Sequence, residues 1–112
     1  MFQKSKHWTL IAAEKFAGRK GSVKAIEQSN SVKTEAINPK YKGVNVNFEE
    51  WKDGERSAGI RFGDKIFYYV GNNGKVISES RLEINVSKFG PELKKHVQVI
   101  QRVHDILKKH AK

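Results

Sequence analysis

The sequence contains no cysteine. That absence excludes a disulfide framework, a thiolate zinc site and a thiol nucleophile, and it fits a reducing compartment. Proline is scarce, at two residues. No apolar run reaches membrane-spanning length. Residues 1–9 are mixed polar and lack the apolar core of a signal peptide. The expectation is a soluble intracellular protein with no membrane partner, cytoplasmic or nucleoid-associated, of cellular or viral origin. Metal motifs are lacking too. His96, His104 and His110 stand eight and six residues apart, and neither step places two ligands on one helix face; no HExxH is present. The basic turn Gly18-Arg19-Lys20-Gly21-Ser22 does not match a phosphate-cradling P-loop, although its backbone N–H groups could meet a phosphate. No metal and no cofactor are expected.

Acidic residues are the other shortage: 12 Asp and Glu face 22 Lys and Arg, a formal net charge of +10 on 112 residues. Such a charge on a small body attracts polyanions and repels other copies of the chain, and nucleic acid is the commonest partner of such a surface. The excess is uneven. Residues 91–112 carry Lys94, Lys95, Arg102, Lys108, Lys109 and Lys112 against Glu92 and Asp105, although cations late in a helix also favour its negative dipole end. A second basic group is Arg19, Lys20 and Lys24, and a third is Lys40 and Lys42 on either side of Tyr41. Residues 49–55 are mildly acidic and read as a charged turn.

What remains suffices for one folded domain over residues 1–112. Six Phe, three Tyr and two Trp can seed a modest core. Trp8, Ile11, Ala12, Lys15 and Phe16 fall at helical spacing, with Ser5 as candidate N-cap, Gly18 as candidate stop and Trp8 in the core. Residues 23–37 are ambiguous: Val23 to Ile26 could form a short helix capped by Ser22, whereas Val32 to Ile37 looks strand-like and Asn38-Pro39 ends it. Val44, Val46 and Phe48 alternate with polar residues, as do Ala58, Ile60 and Phe62, which is the period of half-buried strands. Ile66 to Val70 is rich in aromatic and β-branched residues. Gly71-Asn72-Asn73-Gly74 is the strongest turn signal. Lys75 to Val86 then reads as one long strand with a bulge near Ser78 to Ser80, where the apolar phase changes. After Gly90-Pro91, an amphipathic helix runs to about Lys109 or Ala111, with Leu93, Val97, Ile100, Val103, Ile106 and Leu107 as its apolar stripe. The fold class is α+β: an N-terminal helical segment, an antiparallel meander of about four strands, and a C-terminal helix on one sheet face that leaves the other free.

The free face is where chemistry is sought. A two-residue loop at Gly63-Asp64 would pair Ile60 with Phe67 and Arg61 with Ile66. Phe67 and Tyr69 would then join Ala58, Ile60 and Phe62 in the core. Arg61 and Tyr68 would stand exposed as a platform on which bases of a single-stranded nucleic acid stack. A slip of one residue exchanges Tyr68 for Tyr69. Trp51, beside a turn, is expected half exposed. The plainer alternative is that all these rings are core. A candidate ribonuclease set is also present in residue types alone, His7, Glu49, Glu50, Arg61 and His104, which could supply an acid, a base and a cation for a phosphorane. Scattered surface histidines are the plainer explanation.

Four antiparallel strands followed by an amphipathic helix resemble the single-strand-binding folds of a transcriptional coactivator, the Whirly proteins and the PUR repeats. The stretch Arg81 to Val86, leading into Phe89 and Leu93, is loosely similar to their last strand and helix. That resemblance covers the last 70 residues or so and implies dimerisation through the C-terminal helix; architecture alone does not set function. The leading expectation is a non-enzymatic DNA- or RNA-binding protein, with Arg19, Lys20, Lys24, Lys40, Lys42, Arg61, Lys94, Lys95 and Arg102 on phosphates and Tyr41 and Tyr68 beside them. The alternatives are a metal-independent ribonuclease or toxin, and a module that docks on an acidic protein.

Overall fold

A computed structural model describes residues 7–64 and 66–110. The helix α1 spans Trp8–Ala17 and α2 spans Lys94–Lys109. Between them run seven strands: β1 Ser22–Glu27, β2 Ser31–Ile37, β3 Val44–Trp51, β4 Arg56–Phe62, β5 Ile66–Gly71, β6 Val76–Ser78 and β7 Glu83–Ile84. They form one antiparallel sheet in chain order, each strand bonded to the next. The class is α+β as the composition and periodicity imply. The strand count exceeds the expected four because β1 and β2 join the meander and the long strand after Lys75 is two.

Register sorts the side chains into two faces. Thr34, Phe48 and Ala58 stand in one row and Ala36, Val46, Ile60 and Tyr68 in the next. These face both helices. Phe16, Phe48, Ile60, Val46, Val70, Val99 and Val103 are fully enclosed there. Burial of each such side chain stabilises the fold by about 1.5–3 kcal/mol before the entropy of ordering it. Ala12 and Ala13, both inaccessible, let α1 lie close to the strands beneath it. One polar pair is enclosed with them and satisfied: the Thr34 hydroxyl donates to Thr9 Oγ1 at 3.0 Å.

Several local expectations change. The N-cap of α1 is His7, whose Nδ1 accepts from the Thr9 N–H at 3.3 Å; Ser5 lies outside the described residues. Gly18 ends the helix with a φ of 73°. The stretch Val23 to Ile26 is strand, not helix, because pairing to Ala36, Glu35, Thr34 and Lys33 satisfies its backbone along β2. In the first central hairpin Phe62 pairs with Ile66, Arg61 with Phe67 and Ile60 with Tyr68. The loop is therefore three residues long, and every side chain of β5 takes the face opposite to the one a two-residue loop gives. The phase change after Ile77 marks a tight hairpin rather than a bulge. Ser78 N–H donates to Leu82 C=O at 2.8 Å and Arg81 N–H to Ser78 C=O at 2.9 Å, while Val76 pairs with Ile84. On α2 the enclosed residues are Val99, Ile100, Val103, Ile106 and Leu107. Leu93 and Val97 are only half-buried, so the buried stripe is rotated by part of a turn from the expected one.

Candidate nucleic-acid interface

The segments 15–24, 38–45 and 93–104 are rich in Lys and Arg and contain no acidic residue. The fold places them side by side. Asn38 Nδ2 donates to Phe16 C=O at 2.8 Å, and the Tyr41 ring stacks on Phe16 at 5.7 Å. These contacts hold the β2–β3 loop against the last turn of α1. The Lys95 ammonium donates to Lys42 C=O, which brings in the start of α2. Arg102 donates to Lys15 C=O at 3.0 Å and joins α2 back to α1. The result is an arc of Lys15, Arg19, Lys20, Lys40, Lys42, Lys95 and Arg102, all exposed, along one rim of the helix layer.

Electrostatics distinguish this rim. The ion pairs among the described residues join His7 and Arg56 to Glu50, Lys33 to Glu49, and Lys75 to Glu83. None involves an arc cation, so no arc cation is held in an ion pair among the described residues. Lys15 also lies against Lys109: contact with that ammonium, then slight desolvation and the Lys109 charge itself, push the Lys15 pKa down. Both line a groove of 630 Å³ between the helices, together with Gln98, Gln101, Arg102 and Asp105. The helix layer, residues 7–20 and 91–110, holds eight Lys and Arg against three Asp and Glu. The strands of the open sheet face carry Lys24, Lys33 and Arg61 against Glu35, Glu49 and Glu83, which is neutral. Of these two described layers, the helix side carries the net positive charge.

The residues singled out in the sequence divide accordingly. Arg19, Lys20, Lys40, Lys42, Lys95 and Arg102 come together in the arc, and Lys94 is exposed at the start of α2. Tyr41 is half-buried on Phe16, with the Lys40 ammonium 5.8 Å from its ring. Lys24 and Arg61 lie on the open face, across the sheet from the arc. Arg61 sits over Phe67, 5.8 Å from its centroid. Tyr68 is a correction. The register turns it inward, where it is 7% exposed, against Phe62 and Phe89, with a 3.1 Å hydrogen bond to His96 Nδ1. Tyr69 takes the outward place. Lys15 and Lys109 were not marked by sequence, since one sat within the apparent apolar spacing of α1 and the other read as a helix-dipole cation.

The candidate ribonuclease residues do not converge. His7 and Glu50 meet at 3.2 Å, but Glu49 and Arg61 are on the opposite face and His104 packs beside Gly74. Glu50 is fully occupied: Arg56 donates to it at 2.8 Å and Trp8 Nε1 at 3.0 Å. The Arg56 bond above all, with the Trp8 bond, the Arg56 charge and the His7 bond, holds its carboxyl below the usual range against the opposing effect of desolvation. A general base at neutral pH needs the opposite shift. Arg56 also stacks on Trp8 at 4.7 Å and donates to His110 C=O at 2.5 Å, so this cluster fastens both helices to the sheet. Among the described residues no group of three potential metal ligands occurs, and no helix is long and apolar enough to cross a membrane.

In comparisons with known proteins, no family model, no curated protein and no solved structure matches the chain. The stretch Arg81 to Val86, which carried the resemblance to single-strand-binding folds, is a turn, a short strand and the start of a 3-10 helix.

Proposed function

We propose that the protein binds nucleic acid through phosphate contacts along the arc of Lys15, Arg19, Lys20, Lys40, Lys42, Lys95 and Arg102. The observation that carries this reading is a surface rich in cations, with few acids, whose cations form no ion pair among the described residues. Cations left unpaired repel one another, and that repulsion is relieved when phosphates replace the counterions around them. Contacts of this kind position a polynucleotide without reading its sequence, so affinity depends on length and salt more than on base order. The outer surface of α2 is basic and its apolar stripe is covered by its own sheet, which suits a polyanion better than a second copy of the helix.

Salt titration tests the reading. At about 0.9 per neutralised phosphate, five to seven contacts give a slope of about −4 to −6 for log affinity against log salt. Replacing Lys20, Lys40 and Lys42 together by Gln should make that slope shallower by about 3. All three side chains are exposed, so circular dichroism should be unchanged. A slope near zero, or a triple variant that binds like the parent at low salt, defeats the proposal.

A further inference from the structure

The face that the helices leave open carries a second and different surface. By register Ser57, Gly59 and Gly71 lie on that face, so the middle of the sheet has a floor of small side chains. Gly59 lets the Phe67 ring lie over it: a Cβ would come within 2.9 Å of that ring and the ring would have to shift. Around this floor stand large rings. Phe67 and Tyr69 meet edge to face at 4.7 Å. Trp51 and Tyr69 are 38% and 39% exposed. With Ile77, Glu79 and Arg81 they line a cleft of 470 Å³. Arg81 has a φ of 68°, the one positive value outside glycine among the described residues. The tight hairpin after Ser78 thus holds an arginine in a conformation that costs about 1 kcal/mol or more elsewhere, at the mouth of an aromatic cleft.

We infer that this cleft is a stacking site for an unpaired nucleobase. Two exposed rings offer flat apolar surface. Arg81 offers hydrogen-bond donors and Glu79 acceptors, and the edge of a base presents both kinds of partner. The open face is neutral in its strands, so it suits the base rather than the phosphate, and it lies across the sheet from the cationic arc. A duplex buries its bases and cannot use it; a single strand can. The inference rests on the nucleic-acid reading above and adds to it a preference for single strands. A partner protein that inserts an aromatic side chain is the competing occupant.

Trp51 is its own reporter, because Trp8, the other tryptophan, is enclosed at 8% exposure. The full-length protein is titrated with single-stranded oligothymidylate, with a duplex of equal length, and with heparin, a polyanion that has no bases. The single strand should quench the fluorescence of Trp51, and Trp51→Phe should remove that signal. The duplex and heparin should bind without quenching. Tyr69→Ala should weaken the single strand about tenfold, the range expected for loss of one stacked base, and leave heparin unchanged. Arg81→Gly removes the side chain where glycine is the better backbone fit, so it should weaken the single strand while holding or raising the thermal midpoint. Binding of the oligonucleotide with no quenching, or with full affinity in Tyr69→Ala and Arg81→Gly, overturns the cleft and leaves the arc standing. Quenching that persists in the Lys20, Lys40 and Lys42 triple variant with unchanged salt slope overturns the arc and leaves the cleft. Absence of any oligonucleotide binding overturns both, and a protein ligand that alone quenches Trp51 transfers the cleft to the competing occupant.

Discussion

His96 shows how one side chain ties the helix to the sheet. Its ring stacks on Phe62 at 4.0 Å with the planes 12° apart, and it bonds to the buried Tyr68 hydroxyl. Burial, with the neighbouring Lys95 charge, holds its pKa below the ordinary 6.5. His110 is lowered as well, by burial and by the charges of Lys15, Lys109 and Arg56. The unfolded chain then takes up these protons first as pH falls. The stability contributed by the neutral rings is present in full above about pH 6.5 and is lost as pH drops from there through the lowered values. Glu50, with its depressed carboxyl, loses its contribution only below its ordinary value of 4.5. Glu49 works the other way: burial raises its carboxyl pKa against the pull of Lys33, so its folded-state penalty is relieved as pH falls. Thermal melts between pH 7.5 and 5 therefore read the histidines less this opposing effect. The midpoint should fall across that range, and His96→Gln should flatten the slope by roughly 1 kcal/mol or less, allowing for solvent screening. A His96→Gln protein with the parent's slope removes His96 from the account.

At the scale of elements, the turn between α1 and β1 is the joint on which the cationic arc depends. Gly21 makes this joint possible. A Cβ there would stand 2.2 Å from the Ala17 carbonyl oxygen and 2.5 Å from that of Ile37, and neither can move without shifting α1 or β2. Gly21→Ala should cost about 2–4 kcal/mol by denaturant melts, in the range of mutations that force a backbone rearrangement. It should also weaken oligonucleotide binding in any fraction that folds, since Arg19 and Lys20 precede it directly; a cost below about 0.5 kcal/mol contradicts the contact. The same scale explains what the sequence could show. Period-two alternation made β3 and β4 legible, and the Gly90-Pro91 start made α2 legible, because each signal is local. The phase of β5 was not, because it hangs on one residue of loop length, so Tyr68 and Tyr69 exchanged roles. The β6–β7 hairpin was hidden because a bulge and a reversal shift apolar phase alike. The arc's cations could be named from composition, but their grouping depends on long-range contacts such as Asn38 to Phe16 and Lys95 to Lys42, which no short window contains.

For the whole molecule, the separation of charge sets stability against binding. The helix layer concentrates eight Lys and Arg against three Asp and Glu, whereas the strands of the open face balance theirs. Self-repulsion of this kind destabilises a folded chain and is screened by salt over about 10 Å at 0.1 M. Lys15 and Lys109 form one such contact, in which the Lys109 ammonium pushes the Lys15 pKa down. Lys109→Gln should therefore raise the thermal midpoint at low salt, and the gain should shrink toward zero as salt approaches 0.5 M. The same variant should bind oligonucleotide less tightly, with a salt slope shallower by up to about 0.9. Heparin should stabilise the parent more than the variant, since a ligand that binds only the folded form raises its stability in proportion to its affinity. If Lys109→Gln lowers the midpoint at every salt concentration, the helix-dipole role of that cation outweighs its repulsion from Lys15. The groove between the helices would then be a structural seam and the phosphate path would end at Arg102.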